Sequence, residues 1–424
     1  MNSYIVASLM FVLFFFIAPF KAHAADISLD LPTALQYALK ENPELKATRH
    51  SLGTAQGRAR QAGLLFQHNP RFSLEMESAT AGRSDTSVEV NLLQELEIAG
   101  QRGYRSEAAA KNLAQAKASV EDAERLLRLE VTQVFYNLLA LQQIITDLRE
   151  VLAGQENLLQ VGQKRFDRED ISILEVNTLR IDRDQVRTEL ANKMRERVLI
   201  EKQLRLLTGL QEEGYLILTG NLLDILTKSN TVPNRETFYA CVLANRPDLK
   251  ALKLAVEARD AELRLAQARR LPNVSLGPRY KRDNSQNLFG GEIAVPLPFF
   301  NRNQEEIATA IANQNVSRAE LEGRMLAVKQ EVDSAYKRMD LATANLGGYG
   351  KAYLGEIEKN LALTRKAYES GEMTIFEFSA MRDRLTQSRF RFLDVALGHL
   401  QAVAELEAQA PSCFDTMRTN QSVP

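Results

Sequence analysis

Hydrophobic and polar positions repeat along the chain with two different periods, and each period predicts a different element. From Tyr104 to about Lys164 there is no proline, and apolar residues recur at alternating spacings of three and four. Such spacing is typical of a coiled-coil helix. The residues that carry it are Leu127, Val131, Val134, Leu138, Leu141, Ile145, Leu148 and Leu152. We therefore predict a rod of roughly sixty residues, about 90 Å long at ~1.5 Å per residue.

The same helical spacing returns later in the chain. It is carried there by Met325, Val328, Val332, Ala335, Met339, Ala342 and Leu346. A turn and a returning helix follow each rod, so we predict two antiparallel helical hairpins, over residues 103–208 and 303–408. The helices alone would fit an ordinary soluble coiled coil as well.

Four short segments alternate with period two, which puts apolar groups on one face and polar groups on the other. The predicted strands are residues 70–78, 86–97, 273–282 and 289–298. In the first of them, Phe72, Leu74 and Met76 alternate with polar residues. Lengths near ten residues suit tilted strands that cross a bilayer. A soluble sheet with two different faces is the alternative.

Helices and strands recur because a block of about 200 residues is duplicated, which is too long for a solenoid repeat. The segment Asn42–Ala47 returns as Arg246–Ala251, and Phe166–Val176 returns as Tyr368–Phe378. We assign residues 25–220 to a first repeat, 221–410 to a second and 411–424 to a C-terminal tail.

The first 24 residues have the features of a secretory signal. An apolar run from Ile5 to Phe20 is followed by the small-residue sequence Ala22–Ala24, after which cleavage is expected. A retained membrane anchor is the alternative, although the run falls short of the ~20 residues that a spanning helix needs. No later apolar segment approaches that length.

A membrane interpretation of the strands has a consequence for assembly. Four strands cannot close a barrel, and an open edge in a bilayer leaves backbone donors and acceptors without partners. Several chains would therefore have to pool their strands.

Composition argues against other classes of function. The formal net charge is −1, and without a basic stripe we expect no nucleic-acid partner. No phosphate-binding loop, dinucleotide fingerprint or paired-histidine zinc motif occurs. Two acidic pairs, Asp147 with Glu150 and Asp182 with Asp184, are expected on solvated helix faces. We predict no enzymatic activity, no cofactor and no metal site.

The chain contains two cysteines, Cys241 and Cys413. Neither follows the signal segment directly, so we predict no lipid anchor. Both lie where helices are predicted to end near the middle of the molecule, and an exported protein can join such a pair in a disulfide. Two separate buried thiols are the alternative.

Taken together, these features resemble the TolC-like outer-membrane efflux family, and in particular its heavy-metal, CzcC/CusC-like branch. Leu31–Leu45 is similar to the opening helix of that family, and Gln94–Arg102 to its strand-to-helix junction. Val295–Gln304 is similar to the second junction and is the segment that favours the heavy-metal branch. The resemblance covers essentially the whole chain after the signal.

The resemblance implies a mainly α fold with a small β part. It implies a homotrimer in which hairpins form a trimeric α-barrel in the periplasm and four strands per chain form a twelve-stranded transmembrane β-barrel. The implied function is passive export of heavy-metal cations across the outer membrane, with a periplasmic adaptor (membrane fusion) protein, an inner-membrane RND-type pump and outer-membrane lipid as partners. The alternatives are an exit duct for drugs or for type I protein secretion, and a non-channel periplasmic coiled-coil structural protein.

The family carries a repeated motif, an aromatic residue followed by glycine, a hydroxyl residue and an acid, at the periplasmic tips of its hairpins. Residues 368–377 match it, whereas Glu169 stands at the glycine position of residues 166–175. A residue with a Cβ atom costs about 1 kcal/mol where a turn needs positive φ. We therefore expect the first tip to turn differently or to be strained.

The resemblance assigns candidate roles to tip residues. The tip and gate candidates are Glu175, Tyr368, Gly371 and Glu377. The adaptor-docking candidates are Phe166, Asp170, Ser172, Glu372 and Thr374. In a trimer, one inward glutamate per chain makes a ring of three carboxylates that attracts cations. The alternative is that Glu175 and Glu377 cap the returning helices from the third position of a capping box.

Overall fold

The computed structural model describes residues 26–78, 86–211, 214–228, 233–283, 286–350 and 352–421. The predicted signal, residues 1–24, lies outside them. The elements of the first half are β1 (Ile27–Leu29), α1 (Leu31–Glu41), α2 (Pro43–Ala62), β2 (Arg71–Ser78), β3 (Thr86–Leu96), α3 (Gln101–Phe166), α4 (Ile173–Thr208), β4 (Leu216–Leu218) and α5 (Leu222–Lys228). Those of the second half are α6 (Arg235–Asn245), α7 (Pro247–Ala268), β5 (Val274–Asp283), β6 (Gln286–Ala294), α8 (Gln304–Gly347), α9 (Tyr353–Glu369), α10 (Ile375–Gln409) and α11 (Pro411–Gln421).

The two halves repeat one order of elements. Helices α1 and α2, strands β2 and β3, and the hairpin α3–α4 correspond to α6 and α7, β5 and β6, and the hairpin of α8, α9 and α10. Pro43 and Pro247 begin α2 and α7, at the helix position where proline loses no hydrogen bond. The long helices α3 and α8 start after Gly100 and Asn303, which both have positive φ.

Helix α3 is the longest element, with 66 residues, and spans about 100 Å at ~1.5 Å per residue. Its seam residues from Leu127 to Leu148 are all buried, as the heptad spacing predicts. Leu152 is half-buried. The seam thus faces other helices along the middle of the rod.

The first limb of the second hairpin is not one rod, and in this respect the hairpin prediction for residues 303–408 is wrong. Helix α8 ends at Gly347 and α9 begins at Tyr353. Gly347, Gly348 and Gly350 lie at the break, where glycine weakens helix because it loses the most backbone entropy. Tyr349 and Phe392 of α10 stack edge to face there, with ring centroids 5.3 Å apart.

The four long strands lie close to their predicted places, with one shift. The last one spans Gln286–Ala294 instead of residues 289–298. Pro296 and Pro298 cannot donate to a strand ladder, which ends it earlier. At its other end, Asp283 pairs with Gln286, so the connection between β5 and β6 is much shorter than the predicted loop of residues 282–291.

Residues 411–421 of the predicted C-terminal tail form helix α11. Three hydrophobic clusters occur among the described residues. In one of them, Cys413 and Phe414 of α11 lie together with residues of α6, α8 and α10. A second cluster joins α1, α3, α4 and α10 with the parallel pair β1–β4. A third, small cluster lies at the hairpin tips. The main cores therefore surround the middle of the rods, away from both the sheet and the tips.

Candidate functional site

The long strands form one four-stranded antiparallel sheet in the order β2, β3, β5 and β6. Residues paired across neighbouring strands lie on the same face, so the register assigns every strand residue to a face. One face is apolar apart from Gln94 and the end of the sheet at Ser78, Thr86, Arg282 and Asn287. Its apolar members include Phe72, Leu74, Met76, Val88, Val90, Leu92, Leu276, Pro278, Tyr280, Phe289 and Ile293. The opposite face carries most of the charge of the sheet.

The charged face is predominantly acidic. Its acidic members are Glu75, Glu77, Glu89, Glu95, Asp283 and Glu292, and its basic members are Arg71, Arg279 and Lys281. Arg279 Nη2 lies 2.7 Å from Glu89 Oε2 on this face. With six acids against three bases, each chain places a net charge of −3 there.

Both edges of this sheet are open. Among the described residues, strands β2 and β6 each have a neighbour on one side only, so their outer N–H and C=O groups have no strand partner there. In the interior of the sheet, Gly277 approaches the neighbouring strand so closely that a Cβ atom there would overlap the Leu92 carbonyl oxygen. A glycine at this position is therefore a steric requirement of the sheet.

The two hairpin tips make the same turn, although their sequences differ. Glu169 has φ 65° and Gly371 has φ 82°. In the first tip the Asp170 N–H donates to the Arg165 carbonyl at 2.9 Å, and in the second the Glu372 N–H donates to the Ala367 carbonyl at 2.9 Å. Of the two expectations for Glu169, the strained turn is the one that the structure shows, because a side chain occupies the left-handed region.

Both helices that return from the tips begin with a capping box. Ser172 accepts from the Glu175 N–H, and Thr374 accepts from the Glu377 N–H. In return, the Glu377 carboxylate accepts from the Thr374 N–H at 2.9 Å and from its hydroxyl at 2.8 Å. These bonds, the backbone one first, lower the pKa of Glu377. Within the chain, both glutamates therefore serve as caps.

Tyr368 lies in the hydrophobic cluster at the tips. It is 4% exposed and its ring centroid is 5.1 Å from that of Phe378. Its hydroxyl has no hydrogen-bond partner among the described residues, and burial raises the pKa of Tyr368. Phe166, the matching residue of the first tip, is only half-buried. The structure thus brings Tyr368 into the packing between helices and leaves Phe166 near the surface.

The remaining tip candidates are exposed. Asp170 and Ser172 of the first tip and Gly371, Glu372 and Thr374 of the second are all open to solvent. Apolar side chains accompany them, with Leu174 61% and Phe376 52% exposed. Each tip therefore presents polar and apolar groups side by side.

Two of the four acids expected on solvated faces are buried, and for these two the expectation is wrong. Asp147 is 5% and Asp182 is 8% exposed, whereas Glu150 and Asp184 are exposed. Arg389 Nε lies 2.8 Å from Asp147 Oδ2. Burial raises the pKa of Asp147, and the nearby Arg389 guanidinium opposes that rise.

Asp182 makes the second link between the hairpins. The Ser379 hydroxyl donates to Asp182, and Arg382 Nη2 lies 3.5 Å from Asp182 Oδ2. Because α3 and α4 belong to the first hairpin and α10 to the second, both links join the two hairpins. A cavity of about 380 Å³ lies between the links and has Asp147 and Arg382 in its wall. No local sequence pattern predicts the Asp147–Arg389 and Asp182–Arg382 pairs, since the two members of each pair are far apart in the sequence.

The two cysteines are joined. Cys241 of α6 and Cys413 of α11 form a disulfide, with Cα atoms 6.0 Å apart. Among the described residues, no group of three His, Cys, Asp or Glu side chains is arranged to hold a metal ion. No helix within the described ranges has both the length and the apolar character to cross a membrane.

Comparison with a family model described as "outer membrane efflux protein" gives two matches in this chain, over residues 34–210 and 239–410. The two matches correspond to the two halves.

Three relatives match over most of their length. The cobalt-zinc-cadmium resistance protein CzcC of Cupriavidus metallidurans is 22% identical over 387 residues, covering 89% of each chain. The nickel and cobalt resistance protein CnrC of the same organism is 25% identical and covers 76% of each chain. The pyoverdine export outer membrane protein OpmQ of Pseudomonas putida is 22% identical, covering 90% of this chain and 86% of its own.

Solved structures share the fold. CusC superposes with a TM-score of 0.73 at 19% identity, covering 89% of this chain and 91% of its own. The outer membrane channel CmeC of Campylobacter jejuni has a TM-score of 0.72 at 14% identity, covering 92% of this chain and 88% of its own. The fold is therefore that of the TolC-like channels, as the sequence resemblance implied.

Proposed function

This chain belongs to the outer membrane efflux protein family, and from that membership we propose that three copies of it form the outer-membrane exit duct of a tripartite efflux system. The duct conducts passively. Substrate reaches it from an RND-type inner-membrane pump through a periplasmic adaptor (membrane fusion) protein.

The main support is the four-stranded sheet with open edges and two unlike faces. Because neighbouring strands are antiparallel throughout, β2 and β6 run in opposite directions, and β6 of one copy can pair with β2 of the next. Three copies close twelve strands, which leaves no edge unpaired in the bilayer. The apolar face then contacts outer-membrane lipid, and the acidic face lines the lumen.

The tips are the proposed docking surface for the adaptor. The exposed residues Asp170, Ser172, Glu372 and Thr374 surround the turns, with Phe166 half-buried beside them. Helix ends that present both polar and apolar groups suit a helical partner that packs against them. Since the duct has no energy source, docking supplies the free energy that widens the tip entrance from its resting conductance to the fully open state.

Heavy-metal cations are the proposed substrates. CzcC and CnrC are named as resistance proteins for cobalt, zinc, cadmium and nickel, and an acidic lumen attracts cations. Organic export is the second candidate, because OpmQ is named for the export of pyoverdine. The net charge of −3 on each charged sheet face favours the cations.

The experiment starts from the purified mature protein. Its mass in detergent, after subtraction of bound detergent, should equal three chains, and the trimers should give cation-selective channels in planar bilayers under a gradient of Zn²⁺ or Co²⁺ salt. A monomer in detergent, or trimers without conductance, would contradict the duct.

A variant of Glu377 distinguishes, in the same recording, between two roles of this residue: a member of a carboxylate ring and a helix cap. Glu377→Gln keeps an acceptor for the Thr374 N–H and removes the charge. If three Glu377 side chains line the entrance, the variant lowers cation selectivity while the unfolding midpoint stays near the wild-type value. Glu372→Gln removes an exposed charge of the same tip outside the capping box and is the matched control. Equal selectivity in wild type and Glu377→Gln would leave Glu377 with the capping role alone.

A further inference from the structure

Exposed phenylalanines are concentrated at one end of the molecule. Among the described residues, six phenylalanines are prominently exposed: Phe66, Phe72, Phe289, Phe299, Phe300 and Phe376. The first five lie in the sheet or in the connections between sheet and helices, and only Phe376 lies at a hairpin tip. Exposed aromatic rings at this density need a partner that removes them from water.

The connection from β6 to α8 is the most exposed of these regions. Beyond the last strand residue, Ala294, the apolar positions Val295 and Leu297 are 43% and 67% exposed. The chain then turns about Pro298, because the Phe299 N–H donates to the Leu297 carbonyl at 2.9 Å. This turn presents Phe299 and Phe300 at exposures of 70% and 95%.

The turn is held in place. Pro296 and Pro298 fix their own backbone φ angles, and Arg302 Nε donates to the Pro298 carbonyl at 3.3 Å. Two large apolar rings are therefore displayed on a stiff segment, which lowers the entropy that binding would cost.

The corresponding connection in the first half, between β3 and α3, contains no aromatic residue. Counted from the positive-φ residues before the long helices, Gly100 and Asn303, the counterpart of Phe300 is Glu97. The Glu97 side chain is only 12% exposed and pairs with Arg105. The aromatic display is thus a property of the second half and does not follow from the shared fold.

The helix-side end of the sheet is apolar at its other connections as well. Phe66 between α2 and β2 is 47% exposed, Ile98 between β3 and α3 is 59%, and Leu271 between α7 and β5 is 58%. These side chains continue the apolar region of the sheet towards the helices, where the proposed duct leaves the membrane.

The dimensions fit a bilayer. From Phe289 to Leu297 an extended chain covers about 26 Å, or about 20 Å along the membrane normal at a tilt of about 40°. Outer-membrane barrels carry an apolar band about 25 Å tall with a girdle of aromatic rings at each boundary. Phe299 and Phe300 fall just beyond one end of this span.

We propose that Phe299 and Phe300, with Phe66 beside the first strand, anchor each copy in the periplasmic boundary of the outer-membrane lipid. This assignment rests on the proposed function, because it requires the sheet to span the bilayer. In a trimer, the second halves contribute three pairs of adjacent rings to the anchor. Each first half contributes Phe66, and its Glu97–Arg105 pair stays buried away from the lipid.

The absence of tryptophan from the sequence provides a direct test. Four single-tryptophan variants of the full mature chain are reconstituted as trimers in phosphatidylcholine vesicles. Phe300→Trp reports on the anchor, Phe289→Trp on the apolar face of the sheet, and Tyr37→Trp on an exposed position of α1 far from the sheet. Emission is compared in vesicles with and without bromine on the acyl chains, and during titration with aqueous iodide.

Bromolipid should reduce the emission of Phe300→Trp and Phe289→Trp by about half and leave Tyr37→Trp unchanged, as expected for rings at the boundary and on the outside of a barrel. For Phe300→Trp, bromines near the carbonyl end should quench more than bromines near the methyl end. Phe299→Trp repeats the measurement at the neighbouring position.

The outcomes separate the anchor from the duct. If Phe289→Trp is quenched by bromolipid while Phe299→Trp and Phe300→Trp are not, the anchor is overturned and the proposed function stands. If those two are shielded from iodide as well, a second copy of the chain covers them, which also overturns the lipid assignment. If no sheet position is quenched, the membrane-spanning sheet itself is overturned.

Discussion

In the first half of the chain the side chain of Asn42 ties the start of α2 to the end of α4, and in the second half Arg246 ties the start of α7 to the end of α10. The Asn42 amide donates to the Leu207 carbonyl at 2.9 Å, and Arg246 Nη1 donates to Gln409 Oε1 at 2.6 Å. One junction uses a neutral amide and the other a buried charge. The duplicated fold therefore determines which helix ends meet, but the residues that make the contact differ between the two halves.

The charged junction is a network. Arg246, only 2% exposed, donates to Asp248 at 3.0 Å and to Glu331 at 2.5 Å. Arg324 pairs with the same two acids. A buried guanidinium with several partners is costly to disturb, because each carboxylate left behind loses its compensation. The second half should thus be more sensitive at this junction than the first.

The largest effect is expected for Arg246→Met. Loss of the guanidinium leaves Gln409 without its donor and weakens the network around Asp248 and Glu331, which should cost about 3–5 kcal/mol of unfolding free energy. Asn42→Ala removes two neutral hydrogen bonds and should cost about 1–3 kcal/mol. Denaturant unfolding followed by circular dichroism measures both. An equal loss in the two variants would mean that the charge has no special weight.

Acid provides an independent check on the same network. Burial acts to raise the pKa values of Asp248 and Glu331, but Arg246 and Arg324 outweigh it and hold both pKa values below their ordinary range. A lowered folded-state pKa stabilises the fold above the unfolded pKa, here about 4, and that stabilisation disappears as pH falls through the lowered value. Wild type should lose stability below about pH 4.5 more steeply than Arg246→Met.

The next effect concerns the covalent link that the second half alone possesses. The disulfide joins residues that are 172 positions apart, so its reduction removes a long-range cross-link and enlarges the unfolded ensemble. Opening a native disulfide typically costs about 2–4 kcal/mol. A reductant should therefore lower the unfolding midpoint of wild type.

The double variant Cys241→Ser/Cys413→Ser is the control for this experiment. It should unfold near the midpoint of reduced wild type, and the reductant should not affect it. If wild type unfolds at the same midpoint with and without reductant, then α11 is held by its packing in the hydrophobic cluster rather than by the bond.

Local periodicity was sufficient to predict the rod of the first half and the alternating strands. The seam from Leu127 to Leu148 and the alternation from Phe72 to Met76 involve residues close together in the sequence. Their regular spacing of apolar positions therefore indicates the element directly. The capping boxes at Ser172 and Thr374 were also readable, because donor and acceptor are three residues apart.

Contacts between distant segments were not readable in this way. In the sequence, Asp147 and Asp182 look no different from the exposed acids on the same helices. They are buried only because α10 packs against the first hairpin. The break after Gly347 had a local signal in three nearby glycines, but a heptad seam that runs to Leu346 concealed it. The burial of these residues depends on tertiary contacts, and the local pattern of a single sequence does not specify such contacts.

The smallest effect isolates the difference between the tips. Glu169 has φ 65° in a turn that Gly371 makes at φ 82°, so Glu169→Gly should relieve about 1 kcal/mol of strain. The Asp170 N–H closes that turn, and its hydrogen exchange should slow by about fivefold for a local gain of this size. Glu169→Ala is the control, since it removes the charge and keeps a Cβ atom. Equal slowing in both variants would trace the effect to charge and not to the backbone, whereas slowing in Glu169→Gly alone means that the first tip opens more readily because of its strained turn.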